Sequence, residues 1–217
     1  MFTHAIKNQL IMMQLLLGKT RQLAATPAAS SNEMSENLEK LSSIVGETQQ
    51  RLDQLYKSFK TTYLQLKPVQ AHELFKQIIG KLQIPERIHF LAVKPSDNPM
   101  ILADEAHFAE ALANIIINAF EAIGKEKDGQ VTVRMYTEAS WLIVTVEDNG
   151  PGIQAEHLDV IFDPFYTSKN TNKNWGVGLS YVKQIVHGHF GHIHVDSRPG
   201  VGSTFQVLIP IYLNAER

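Results

Sequence analysis

The sequence predicts an α+β chain: a two-helix hairpin over residues 1–66 that pairs into a dimeric four-helix bundle, then a two-layer α/β sandwich over 67–217. Three observations carry that prediction. Leu38, Leu41, Val45, Thr48, Leu52, Leu55, Phe59, Thr62 and Leu66 keep an unbroken heptad, with two threonines as its only polar members. Pro68 then interrupts the pattern. Beyond it, strands with alternating apolar residues are mixed with helical stretches rather than strictly alternating with them.

The elements follow in order. Ile6, Leu10, Met13, Leu17 and Ala24 are spaced by threes and fours, with Thr20 filling the gap. Pro27 and the small residues after it end that helix. Ser30 with Glu33 forms a capping-box pair that starts the heptad helix. A seam of period 3.5 must find other helices, and one hairpin cannot bury two such seams, so a homodimer is expected. After Pro68, Ala71 to Leu82 reads as a helix, and Ile88 to Val93 and Met100 to Ala103 as strands. Asp104 to Ile123 reads as a long, mostly buried helix. Val131 to Tyr136 and Trp141 to Glu147 alternate as strands, Glu156 to Ile161 suggests a short helix, and Gly176 to His189 a longer one. His192 to Ser197 and Thr204 to Pro210 close the chain as a strand pair.

Composition bounds the function. The chain has 217 residues, 44% of them hydrophobic, and a net charge of −2. That charge gives no electrostatic case for nucleic acid or for an anionic membrane. With no cysteine, disulfides, thiol nucleophiles and thiolate metal sites are excluded. The longest apolar run, Leu10 to Leu17, is broken by Gln14 and is too short to span a bilayer.

Chemistry concentrates in five ordered segments. Asn114 and Asn118 lie four apart, on one face of a helix. An amide oxygen is a hard ligand suited to Mg²⁺, and the same pair also reads as satisfied core polar groups. Asp148-Asn149-Gly150-Pro151-Gly152 ends an apolar strand. Its carboxylate can accept a hydrogen bond from an exocyclic amine, and Gly150 and Gly152 permit close approach of a flat ring. Alternatively, the pentapeptide is good turn chemistry. Phe162-Asp163-Pro164-Phe165-Tyr166-Thr167 leads into a polar stretch carrying Lys169 and Lys173, either a lid over phosphates or a solvated loop. Gly176-Val177-Gly178-Leu179 opens a helix whose free amides can cradle an anion. Gly200-Val201-Gly202-Ser203-Thr204 completes the set. Near the start stands His4, in the run His4-Ala5-Ile6-Lys7-Asn8, two residues off the seam and therefore facing solvent. Imidazole near neutral pH is nucleophilic.

The ordered set resembles the N, G1, F, G2 and G3 boxes of the ATP-binding domain of sensor histidine kinases, within the superfamily that includes gyrase, Hsp90 chaperones and MutL proteins. The segment before Pro68 resembles their dimerisation and histidine-phosphotransfer domain. The resemblance implies a Bergerat-type sandwich that binds ATP and Mg²⁺. It implies that Asn118 holds the metal and Asp148 reads adenine, with Thr204 supporting the base through water. Gly176, Val177, Gly178 and Leu179 would meet the phosphates, Phe165 would belong to the F box, and Lys169 would contact phosphate from the lid. It further implies phosphorylation of His4, transfer to an aspartate of a response-regulator receiver domain, and a phosphatase function for Asn8. In this family the kinase core is a cytoplasmic unit, tied to a membrane only through an upstream sensor that this chain is expected to lack.

Three departures sharpen the picture. Superfamily ATPases carry a glutamate four residues before the metal-binding asparagine; here Asn114 stands there and cannot serve as a general base. The acidic residue usual after the phosphorylated histidine is Ala5, so either another carboxylate, Glu110 or one from the partner subunit, takes the proton, or autophosphorylation is slow. Asn174-Trp175 replaces the first glycine of the Gly-rich turn. Two other functions compete: a phosphotransfer scaffold with a degenerate ATP site, favoured by Ala5 and Asn174, and an anti-sigma-type protein-serine kinase, which needs neither His4 nor the heptad. Ile11, Met12, Leu15 and Leu16 form either a receiver-docking surface or a deeper bundle contact. His187, His189, His192 and His194 lack a completing carboxylate and read as structural rather than metal-binding.

Overall fold

The computed structural model describes residues 2–24, 35–46, 48, 63–124, 128–167 and 176–213. Helix α1 spans Phe2–Ala24 and α2 covers 35–46. The backbone at His4, Ala5 and Asn8 is helical, and their side chains lie outside the described residues. So do the capping box at Ser30 and Glu33 and the heptad members Leu52, Leu55, Phe59 and Thr62. Leu66, expected as the last heptad position, is not helical. Within α2, Leu41 is buried whereas Leu38 and Val45 are exposed. On α1, Leu17 is exposed as well.

β1 (Lys67–Gln70) pairs antiparallel with β3 (Met100–Ala103), and Pro68 stands opposite Leu102. This strand has no alternation to betray it. Pro68 is tolerated because a two-stranded ribbon leaves one edge free of ladder bonds. α3 (Ala71–Gly80) buries Ala71, Leu74 and Ile78, spaced by threes and fours. It stops short of the predicted Leu82, whose N–H instead donates to Ile79 O in a terminal turn.

A five-stranded sheet has the order β2-β4-β5-β7-β6, from β2 (Ile88–Val93), β4 (Gly129–Glu138), β5 (Trp141–Asp148), β6 (His192–Arg198) and β7 (Gly202–Pro210). Only the β2–β4 pair is parallel. Alternate residues Val131, Val133 and Met135, Leu142, Val144 and Val146, and Phe205, Val207 and Ile209 form one buried face. They join the inward residues of α3, α4 (Glu105–Ile123) and α5 (Gly178–Gly188) in a single core. Each large apolar side chain buried there stabilises the fold by about 1.5–3 kcal/mol. The sequence predicts a helix over Glu156–Ile161, but the structure has one 3₁₀ turn, Ala155–His157, followed by turns. A segment this short makes too few i→i+4 bonds to offset helix nucleation.

His189 joins the two long helices of the core. Its ring is 1% exposed and packs on Phe108, with centroids 5.1 Å apart. Nε2 accepts the Asp104 N–H at 2.9 Å, so Nδ1 carries the proton and donates to Ile185 O at 2.7 Å. The end of α5 is thereby fastened to the start of α4. Asp104 caps α4 by accepting the His107 N–H, and its other oxygen accepts the Gln65 N–H from the segment that precedes β1. Burial holds the His189 pKa below its usual 6.5. Its folded-state pKa is thus below the unfolded one, so its neutral form contributes full stability above about pH 6.5, and stability drains as pH falls below that value. Thermal melts of wild type and His189→Gln between neutral and mildly acidic pH should differ in slope. The wild type should lose Tm more steeply, while the variant starts lower at neutral pH and falls less.

Candidate functional site

α4 is the platform. Phe108, Leu112, Ile115, Ile116, Ala119, Phe120 and Ile123 bury one stripe of it. Glu110, Asn114, Asn118 and Ala122 follow at intervals of four along another. Asn114 and Asn118 are half-buried, which matches neither a satisfied core group nor a free surface amide. The Cβ position of Gly178, the first residue of α5, lies 3.9 Å from Asn118 Nδ2. One turn further along α4, the Cβ position of Gly150 lies 3.5 Å from Ala122 Cβ. Three of the predicted segments therefore meet along one helix face.

α5 begins at Gly178, two residues later than predicted, because Gly176 adopts φ 68° and cannot continue a helix. A Cβ at Gly176 would collide with Tyr166 O. Gly176 O in turn accepts the Phe165 N–H at 2.9 Å, which pins together the two ends of the intervening segment. Phe165 itself sits at φ 70°. The N-cap residue Val177 makes no side-chain cap, so it leaves the first amides of α5 to another acceptor such as an anion. The Val177 side chain is buried and Leu179 packs on the core, so these two can offer a ligand only backbone. Lys169, Asn174 and Trp175 lie outside the described residues.

Asp148 ends β5, 6% exposed, and Oδ1 accepts the Gly150 N–H at 2.8 Å. Burial pushes its pKa above the ordinary 3.8, while hydrogen bonds from Gly150 and Ser203 pull the other way. A carboxylate so placed is an acceptor kept away from bulk water. Gly152 turns the chain at φ 70°, where a Cβ would strike Arg198 O.

Thr204 is not the cross-strand partner of Asp148. The strand opposite Asp148 presents Ser203, which is 7% exposed and has its Oγ 2.9 Å from Ser197 Oγ. Thr204 pairs with Glu147 on one side and Asp196 on the other. Together with Thr132 they line a cleft of about 300 Å³ that Asp148 and Ser203 also border. One residue along a strand reverses the facing of a side chain. The signal was available: Phe205, Val207 and Ile209 set the inward phase, and Ser203 is in step with them.

Glu110 accepts the Tyr181 O–H at 3.0 Å, bridging α4 and α5 beside the asparagine row. Burial, reinforced by the Glu110 carboxylate, pushes the Tyr181 phenol well above its usual range, so it remains a donor. Among the described residues no group of three His, Cys, Asp or Glu could hold a metal. The histidines at 187, 189, 192 and 194 form no such group, and His189 is structural. A divalent cation near Asn118 would take hard amide oxygen from this chain and the rest of its shell from phosphates and water, an arrangement that suits Mg²⁺.

Residues 103–213 match the family described as histidine kinase-, DNA gyrase B- and HSP90-like ATPases, and the chain belongs to it. It carries an ATP-binding domain of that family. The sensor histidine kinase ZraS of Escherichia coli is 30% identical over 197 residues, covering 89% of this chain and 38% of ZraS. The chain spans about a third of the length of the curated relatives it matches. The solved mycobacterial sensor histidine kinase MprB superposes with TM-score 0.58 at 25% identity, covering 67% of this chain and 97% of that one. The histidine kinase ThkA, solved in complex with the response regulator TrrA, covers 97% of this chain and 60% of its own at TM-score 0.67; at 21% identity it shows the fold alone.

Asp148→Asn should weaken ATP binding about 10- to 100-fold, the loss of a hydrogen bond to a charged group. In the wild type, affinity should fall as pH drops, with onset above the ordinary 3.8 because burial holds this carboxyl up. Ser203→Ala should weaken ATP binding about fivefold, whereas Thr204→Val should leave it within about twofold. Titration calorimetry of the three variants checks all of this, and equal losses at Ser203 and Thr204 would contradict the facing described above.

Proposed function

We propose that this chain is the kinase core of a two-component sensor: it binds ATP·Mg²⁺, phosphorylates His4, and passes the phosphoryl group to an aspartate of a response-regulator receiver domain. The observation that carries the reading is the meeting of Asn118, the uncapped end of α5 and the Asp148–Gly150 turn along one face of α4. Asp148 would accept from the adenine amine, with Ser203 in the supporting position. Asn118 would hold Mg²⁺, which supplies charge neutralisation between the phosphates. The α5 amides would receive the phosphate oxygens, with Lys169 reaching them from the lid segment.

Asn114 offers no carboxylate to deprotonate water, so the γ-phosphoryl group waits for a better nucleophile. An imidazole nitrogen of His4 forms the N–P bond, the bridging P–O bond to the β-phosphate breaks, and ADP leaves. The proton displaced from the imidazole goes to a carboxylate other than residue 5, and Glu110, oriented by Tyr181, is the described candidate. Catalysis is then chiefly positioning and charge stabilisation. Asn8 would orient water for dephosphorylation of the partner.

The exposed residues Leu17 of α1 and Leu38 and Val45 of the heptad support a homodimer, since a second copy would cover them. Ile11, Met12 and Leu15, also exposed, support receiver docking beyond the seam. No described helix is long and apolar enough to cross a membrane.

Labelled ATP with wild type and His4→Gln tests the proposal. Acid-labile label should appear on the wild type and vanish in the variant. Label that survives the substitution, or an acid-stable product, points instead to a serine kinase, and absence of Mg²⁺-dependent ATP affinity to a scaffold.

A further inference from the structure

The flank of α4 next to the asparagine row borders a second cavity that the nucleotide chemistry does not use. It measures about 430 Å³, within the range of small-molecule sites, and lies between α4 and the 81–87 segment. Its floor is apolar, made by Leu82, Pro85, Ala113, Ile117 and Phe120. Ile117 is 45% exposed, although Ile115, Ile116, Ala119 and Phe120 around it are buried. Half-buried Arg87 lines the same cavity, and among the described residues its buried Nη1 has no hydrogen-bond partner. Lys81, also on the wall, holds no ion pair among the described residues. The single acidic wall residue, Glu121, already has an interaction of its own.

An unpartnered buried guanidinium nitrogen is costly, because its water has been removed and nothing replaces it. A planar carboxylate matches a guanidinium in geometry as well as in charge. An apolar floor beside that head-group site adds area for a hydrocarbon body. We propose that this cavity binds a small amphiphilic carboxylate, its head on Arg87 and its apolar body over Ile117 and Phe120. The site is separate from the nucleotide pocket and needs no nucleotide to form. Ile117 directly precedes Asn118, so a ligand seated there is coupled to the nucleotide face through α4, and by linkage each ligand alters the affinity of the other.

Octanoate is the probe, titrated into the full chain by calorimetry and followed by backbone amide shifts, with octylamine and octanol as head-group controls. Octanoate should bind saturably, shift the amides of Ala113 and Ile117, and outcompete both controls at least tenfold. Arg87→Gln and, independently, Ile117→Asp should each weaken it at least tenfold. Ile117 is exposed enough for its variant to fold should Arg87→Gln not. Saturating octanoate should change ATP affinity at least twofold in the wild type and not in Arg87→Gln. No saturable binding, equal binding of octylamine, or unchanged affinity in both variants overturns the proposal. Octanoate binding by a chain that fails to bind ATP would defeat the nucleotide assignment and leave this one standing.

Discussion

Helix α4 must bury one stripe against the sheet while holding a polar row half out of it, and the rest of the catalytic unit is arranged around that requirement. The apolar stripe from Phe108 to Ile123 fixes the rotation of the helix about its axis. Once that is fixed, Glu110, Asn114, Asn118 and Ala122 have only one direction to face. The two ends are held separately: Asp104 caps the N-terminus, and Gly124, at φ 75°, ends the helix. His189 then ties α5 to that same N-terminus, so the helix that opens at Gly178 cannot slide along the helix bearing the asparagines.

The chemistry follows from which charges are withheld. In the proposed function, the amide at residue 114 leaves water without a general base, and the nucleotide waits for another nucleophile. Asp148 is a carboxylate set in a largely buried position, where its acceptor strength is spent on few partners. The Glu110–Tyr181 bridge places one more acceptor at the edge of the asparagine row without adding an unpaired buried charge. Along the adjoining flank of α4 the balance reverses: Arg87 and Lys81 border an apolar cavity, with a guanidinium nitrogen left unmatched. One helix thus separates a face suited to phosphates and metal from a face suited to an anionic apolar molecule.

Much of this was legible in the residues. The period-2 runs that became β4, β5 and β7, the long stripe of α4 and the order of the five segments all announce themselves, because they are repeating patterns set by backbone geometry. β1 was hidden, since four residues containing a proline carry no pattern. The start of α5 was misplaced by two residues, because only the contact between Gly176 and Tyr166 shows that the chain is still turning there. Thr204 and Ser203 are both hydroxyl residues in one motif; the alternation of Phe205, Val207 and Ile209 already favours Ser203 as the inward one, and the pairing register sets it opposite Asp148.

The sequence by itself determined the class of fold, the order of its elements and the chemical kinds of side chain at the nucleotide site, because local periodicity and residue chemistry are properties of neighbours along the chain. The tertiary structure alone decided which of those side chains converge. Asn118 meets Gly178 and Gly150 meets Ala122 across long stretches of chain, His189 reaches Asp104 from 85 residues away, and Arg87 comes to lie near Ile117. Such meetings depend on how buried faces pack against one another, and packing is a collective property of the folded core that no segment carries alone.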